Sequence, residues 1–233
     1  QFTQLAANAT AASTCGLTAS GEAWCWGSNR SGVLGNGMDA GAALVPMQVM
    51  TSVPFTAIAI SDTTACALGS DGDAFCWGDN RYGQLGVGSA GFDGGLTGSN
   101  SPLAVLGGKR FIQVVTDGLH SCGLQSSGTI LCWGLELNSV YYKLSGEVAE
   151  DLYQAEVLPA RVVRFGVPLA SSTTSSWGRI GVGYGQTCAL TGRGELDCWG
   201  QVTHDWLDWY RRVYDPVRIG GDQLFTSFAS GRA

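Results

Sequence analysis

Apolar and polar residues alternate with a period of two over short runs along most of the chain, and glycine-centred turns interrupt the runs. This pattern predicts strands. Phe55-Thr-Ala-Ile-Ala-Ile60 and Phe111-Ile-Gln-Val-Val115 are two of them, and Val45-Pro-Met-Gln-Val49 and Leu158-Pro-Ala-Arg-Val-Val163 are proline-containing apolar segments of the same kind. Two stretches depart from it. Ser145 to Glu156 places Val148, Leu152 and Ala155 at helical intervals, and Thr203 to Pro216 does so with Trp206, Trp209 or Tyr210, and Val213. A short helix is expected in each.

The alternating runs recur as one unit. Cys15, Cys66, Cys122 and Cys188 each precede a second cysteine at the same interval, at Cys25, Cys76, Cys132 and Cys198, which accounts for all eight. Leu follows the first cysteine by two positions and Gly by six, and the second cysteine always opens Cys-Trp-Gly. Each unit reads as a β-hairpin. A three-residue loop such as Ala19-Ser20-Gly21, with its glycine in the left-handed conformation, sets Leu17 opposite Ala23, Gly16 opposite Trp24 and Cys15 opposite Cys25. In a non-hydrogen-bonded pair the Cα atoms lie about 4.5 Å apart, within disulfide range. Four bridges are therefore expected: Cys15–Cys25, Cys66–Cys76, Cys122–Cys132 and Cys188–Cys198. Zinc is the alternative, but metal-binding pairs are usually spaced by two to four residues. Disulfides imply an oxidising compartment, extracellular or in the secretory lumen. Strand alternation turns the tryptophan of each Cys-Trp-Gly away from the cysteines, where it can fill the space between neighbouring units.

Adding the intervening runs gives about four strands per unit, the content of a propeller blade. The fold expected is all-β: a β-propeller with four visible blades, helical insertions in the third and fourth, and repeats at approximately 1–52, 53–108, 109–176 and 177–222. Composition agrees. Glycine supplies 35 of 233 residues and charged residues only 14%, which suits many tight turns. A net charge of −6 offers no basic footprint for nucleic acid. No apolar run approaches the ~18 residues of a membrane helix, so no direct membrane insertion is expected of this segment.

Cys66-Ala-Leu-Gly-Ser-Asp-Gly-Asp-Ala-Phe-Cys-Trp-Gly-Asp-Asn-Arg-Tyr-Gly-Gln-Leu-Gly86 closely resembles the signature of the regulator-of-chromosome-condensation repeat, and Asn29-Arg-Ser-Gly-Val-Leu-Gly35 continues the first unit similarly. The resemblance extends over four units and implies a β-propeller, commonly seven-bladed. Cysteine-paired versions are similar to the ectodomain repeats of crinkly-type receptor kinases. The Asn-x-x-Gly-Gln-Leu-Gly stretch is missing after Trp133-Gly134 and after Trp199-Gly200. Phe225 to Ala233 resembles the opening of a fifth unit, since Phe55 and Phe111 start equivalent stretches. The reading is thus part of a longer chain, with four-bladed closure as the alternative.

Unit-specific insertions in repeat folds lie on loops, where partners commonly bind. Trp206, Trp209, Tyr210 and Tyr214 are the partner-binding candidates, as a protein anchor, a stacking platform for sugars, or a cover for the blade edge. Asn8-Ala-Thr10 and Asn29-Arg-Ser31 fit the N-glycosylation pattern, although Asn29 falls where the family carries a structural asparagine. His120 matches a histidine frequent in the family and reads as structural. No Ser/His/Asp set or phosphate loop stands out, and Asp71-Gly72-Asp73 lacks a calcium ladder. No cofactor or metal is expected. The function expected is a non-enzymatic extracellular or cell-surface module that binds protein or carbohydrate. The resemblance also admits a guanine-nucleotide exchange factor for a small GTPase, or an inhibitor of a secreted enzyme.

Overall fold

A computed structural model describes residues 1–8, 12–135, 155–161, 163–164, 167–168, 177–183, 185–201 and 212–229. Their secondary structure is almost wholly β. Four meanders of four antiparallel strands follow one another along the chain. The first contains β1 (Phe2–Asn8), β2 (Ser13–Thr18), β3 (Ala23–Ser28) and β4 (Ala42–Gln48); the second, β5 (Phe55–Ile60), β6 (Thr64–Gly69), β7 (Ala74–Asp79) and β8 (Gly98–Ala104). The third contains β9 (Gln113–Thr116), β10 (His120–Leu124), β11 (Ile130–Leu135) and β12 (Ala155–Arg161). After a small ribbon of β13 (Val163–Arg164) and β14 (Val167–Pro168) comes the fourth: β15 (Trp177–Gly183), β16 (Gln186–Thr191), β17 (Leu196–Gln201) and β18 (Arg212–Ile219).

The sheets pack face to face in sequence. β5 lies against β1 and β2, β9 against β5 and β6, and β15 against β9 and β10. First strands are thus the closest elements of adjacent sheets, and fourth strands form the outer edges, as in propeller blades.

The expected hairpin register is present in every blade, with Cys15 opposite Cys25, Cys66 opposite Cys76, Cys122 opposite Cys132 and Cys188 opposite Cys198. All four pairs are disulfides with Cα atoms 4.1 Å apart. Gly21 holds the first turn at φ 83°, and Gly21 N–H donates to Thr18 O at 3.0 Å. This turn also seats the next blade: Phe55 N–H donates to Gly21 O at 2.8 Å, and Phe111 N–H donates to Gly72 O at 2.8 Å.

Each of the first three disulfides, with the leucine two residues after its first cysteine, faces the following blade, and the fourth packs with Phe225 and Phe228. Between the first two blades, Cys15, Leu17, Ala23 and Cys25 share one core with Phe55, Ile58, Ala67 and Trp77. Within a blade the first-strand aromatic packs on the Cys-Trp-Gly tryptophan: Phe55 on Trp77 with centroids 6.1 Å apart, Phe111 on Trp133 at 5.8 Å, and Trp177 on Trp199 at 6.4 Å. The residue after the first cysteine lies under this aromatic, which is why it is Gly or Ala in all units. A Cβ at Gly16 would lie 2.7 Å from the Phe2 ring. Trp77, Trp133 and Trp199 are buried, and each such burial contributes about 4–6 kcal/mol before entropic costs. Trp77 Nε1 also donates to Val33 O of the preceding blade at 2.8 Å. At the next junction Ser121 Oγ donates to the corresponding carbonyl, that of Gln84, at 3.0 Å. Trp133 Nε1 has no acceptor among the described residues.

The glycine of Cys-Trp-Gly marks a bulge. Pairing steps from Cys25–Met47 to Gly27–Ala43, so Leu44-Val45-Pro46 bows out opposite Trp26. Asn100-Ser101-Pro102, Val157-Leu158-Pro159 and Tyr214-Asp215-Pro216 occupy the same bulge in the other blades. Proline is tolerated there because the bulge frees its position from the ladder.

The two expected helices are corrected in part. Ala155 and Glu156 belong to β12, paired with Leu135 and Gly134, and Arg212 to Pro216 belong to β18, where Arg212 pairs with Gln201 and Val213 with Gly200. The open edges of β11 and β17 need ladder partners, and that tertiary demand overrides helical spacing. The remainder of both segments lies outside the described residues.

Gly134 sits at φ 106°, and a Cβ there would meet Leu119 O at 2.7 Å. We expect Gly134→Ala to lower unfolding stability by about 2–4 kcal/mol, read as a fall in the urea midpoint with an unchanged slope.

Candidate functional site

In each blade the connection from the first to the second strand and that from the third to the fourth emerge at the same end, because the strands run up and down in order. The third-to-fourth connections differ most between units. In the first two blades each begins with a buried asparagine that fixes its base. Asn29 Oδ1 accepts from Leu34 N–H at 2.9 Å, and Asn29 Nδ2 donates to Met38 O at 2.8 Å. Asn80 repeats this, with Oδ1 accepting from Leu85 N–H at 3.0 Å and Nδ2 donating to Ser89 O at 2.8 Å and Leu96 O at 2.9 Å.

What extends beyond these anchors is exposed and apolar. The first loop presents Met38; the second, longer one presents Phe92, 55% exposed, and Leu96, 39% exposed. A one-turn 3-10 segment, Gly91–Asp93, carries Phe92, and Gly91 N–H and Phe92 N–H donate to Asn80 O and Arg81 O at 2.9 and 3.0 Å. Arg81 is in turn held on Asp79 by a 3.0 Å ion pair. The tip is thus presented by a fixed frame. Asn100 ties the first loop to the second blade, donating from Nδ2 to Gly37 O at 3.0 Å and to Asp39 Oδ1 at 2.7 Å.

Beneath this end lies a buried polar seam joining blades two, three and four. Gln84 Nε2 donates to Gly118 O at 2.9 Å, and Asp117 Oδ2 accepts from Gly185 N–H at 2.7 Å. His120 stands between the Asp117 carboxylate, with Nδ1 3.2 Å from Oδ1, and the Thr187 hydroxyl, 3.0 Å from Nε2. Carboxylate, imidazole and hydroxyl follow in the order of a hydrolase triad. His120 and Thr187 are both buried, and the set joins the third blade to the fourth. Burial opposes ionisation of Asp117, but attraction to His120 and hydrogen bonds from His120 and Gly185 outweigh it and hold the carboxyl well below its ordinary range.

The residues singled out from the sequence are distributed as follows. The eight cysteines form the inter-blade cores. Asn29 is 2% exposed, and its amide accepts from Leu34 N–H and donates to Met38 O, so it is a structural anchor. Asn8 closes β1 at a partly exposed position, while Thr10 lies outside the described residues. Trp206, Trp209 and Tyr210 lie outside them too, within the connection from β17 to β18; Tyr214 falls in the β18 bulge. That connection is the counterpart of the Phe92 loop. Phe92 and Leu96 were missed because their Gly-rich surroundings read as a plain turn. The signal available was the greater length of that loop relative to the first.

Comparison with known proteins agrees with this architecture. Profiles of the regulator of chromosome condensation (RCC1) repeat match residues 3–33 and 55–84, and residues 20–68 and 71–124. The chain belongs to this family. It is 30% identical over 188 residues to the ultraviolet-B receptor UVR8 of Arabidopsis thaliana, a match that covers 79% of this chain and 38% of that protein. It therefore spans less than half the length of that relative. Its fold is similar to that of human WBSCR16, with TM-score 0.75, 21% identity, and coverage of 99% of this chain and 56% of the other. It is also similar to the entire ectodomain of the Physcomitrella patens receptor kinase CR4, with TM-score 0.54, 18% identity, and 99% and 45% coverage.

A depressed Asp117 pKa adds stability that is present above the unfolded-state value of ~3.9 and is lost as pH falls below it. Asp117→Asn should cost about 2–4 kcal/mol at neutral pH. In denaturation curves taken across pH, that difference should shrink below about pH 4.

Proposed function

We propose that this chain is part of a secreted or cell-surface RCC1-type propeller that acts without catalysis, by binding a protein partner through the loops connecting third and fourth strands. The observation carrying this reading is the exposed Phe92–Leu96 tip held on the buried Asn80 anchor. Rigid scaffolds with variable, apolar tips are built for recognition. A fixed aromatic also gives contact area at little entropic cost. The aromatic-rich connection containing Trp206, Trp209 and Tyr210 links the third and fourth strands of the fourth blade, as the Phe92 loop does in the second.

Four bridges using every cysteine support an oxidising compartment, and the fold shared with a receptor ectodomain is consistent with it. Asn8 is then the more exposed of the two glycan acceptors. We read the repeats as approximately 1–52, 53–108, 109–176 and 177–222, with a fifth unit opening at 223–233. In support, Phe225 N–H donates to Gly194 O at 2.7 Å, as Phe55 does to Gly21 and Phe111 to Gly72.

The test uses protein isolated from its native host without reductant. Iodoacetamide without reductant should label none of the eight cysteines; labelling of all eight would remove the extracellular reading. Phe92→Asp with Leu96→Asp should weaken capture of the extracellular partner by at least ~10-fold while the melting temperature stays the same. Equal capture by both forms would exclude this face. Displacement of the partner by soluble oligosaccharide would instead favour a carbohydrate ligand.

A further inference from the structure

The connection between the second and third blades differs from its counterpart between the first and second. In the earlier one, Thr51 N–H donates to Val49 O at 2.9 Å, Val53 N–H donates to Thr51 Oγ1 at 3.0 Å, and Pro54 leads into Phe55. The later one reads Leu106-Gly107-Gly108-Lys109-Arg110-Phe111, and its ends are held while its middle is not. Leu106 N–H donates to Gly86 O at 2.9 Å, and Phe111 N–H donates to Gly72 O at 2.8 Å. Between these clamps the backbone groups of Gly107, Gly108 and Lys109 make no hydrogen bond to the described residues. Gly107 to Arg110 are exposed. Gly107 and Gly108 stand at φ 95° and 62°, and a Cβ on either would have nothing within 4 Å. Glycine leaves such a conformation for an extended one without steric cost.

The two cations of this segment are placed differently. Arg110 pairs with Asp71 at 3.2 Å and with Asp73, both in the hairpin turn of the second blade. Phe111, which follows it, is 3% exposed and packs on Trp133. Lys109 is exposed and follows the two glycines. A protease that cuts after a basic residue takes its substrate as an extended strand, so it needs free backbone around the bond. Lys109 meets that demand. Arg110 does not, since the residue after it is clamped and buried. The other described arginines are fixed as well. Arg30 and Arg193 lie in hydrogen-bonded turns, Arg81 is held on Asp79, and the rest belong to strands.

We propose that the Lys109–Arg110 peptide bond is a site of limited proteolysis in the folded protein, cut by a serine protease specific for basic residues. Water adds across the C–N bond, leaving a carboxylate on Lys109 and an ammonium group on Arg110. The product is a two-chain propeller. Cys66–Cys76 lies before the cut and Cys122–Cys132 after it, so no bridge spans it. The halves are held by the core that Cys66 and Leu85 share with Phe111 and Trp133, and by the bond from Gln84 Nε2 to Gly118 O. This site does not depend on the Phe92 loop.

The probe is trypsin at a limiting ratio, added to the unreduced full chain, with products read by mass spectrometry and N-terminal sequencing. The first cut should give fragments 1–109 and 110–233, the second beginning Arg-Phe-Ile-Gln. They should co-elute in gel filtration and separate in concentrated urea without reductant. Lys109→Gln should slow the cut at least ~10-fold, because the route after Arg110 requires local opening. Arg110→Gln should be cut at least as fast as the parent, since it frees the segment from Asp71 and Asp73 and keeps Lys109. Urea below the unfolding transition should leave the parent's rate unchanged relative to an unstructured peptide of the same sequence. The proposal is overturned if the first cut falls elsewhere, or if Arg110→Gln blocks it and Lys109→Gln does not. It is also overturned if the relative rate rises with the unfolded fraction, or if the halves part on cutting without denaturant.

Discussion

The structure depends on one contact repeated from blade to blade: the disulfide-bearing face of a sheet packed against the aromatic face of the next. Neither face is a core alone. A single four-stranded meander has two sides to cover and few residues with which to do so, and stacking solves both at once. The bridge lets the hairpin be thin. It takes the place of bulky apolar pairs at its centre, so Gly16 and Gly123, or Ala67 and Ala189, can lie directly under an aromatic ring.

The same constraint explains the sequence signature. The Trp ring reaches the loop of the preceding blade, where Trp77 Nε1 donates to Val33 O. Gly follows it because the chain must turn past a neighbouring carbonyl at positive φ. The bulge then sets two residues outside the ladder ahead of a proline in each fourth strand. Residues with identical backbone roles thereby become free to vary in chemistry, as Leu44-Val45 and Asn100-Ser101 do.

Chemistry in this molecule is divided between a closed interior and open ends. The grouping with the look of catalytic machinery, Asp117, His120 and Thr187, lies in the buried seam and fastens the third blade to the fourth. The exposed apolar groups are on connections, as anchored tips at one end of the blades. They depend on a deviation from the repeat, a longer loop in the second blade.

Blade architecture, hairpin register and disulfide pairing were legible in the chain itself, because each is set by spacing within about twenty residues, where turn geometry and strand alternation act locally. The structural role of Asn29 was visible as well, though not that its amide is held by Leu34 and Met38. Assignment of Ala155, Glu156 and Arg212 to Pro216 to strands was not legible, since helical spacing is local while an open sheet edge is supplied by residues far along the chain. Local periodicity determined the units; nonlocal packing decided which polar groups were consumed and which were left to bind.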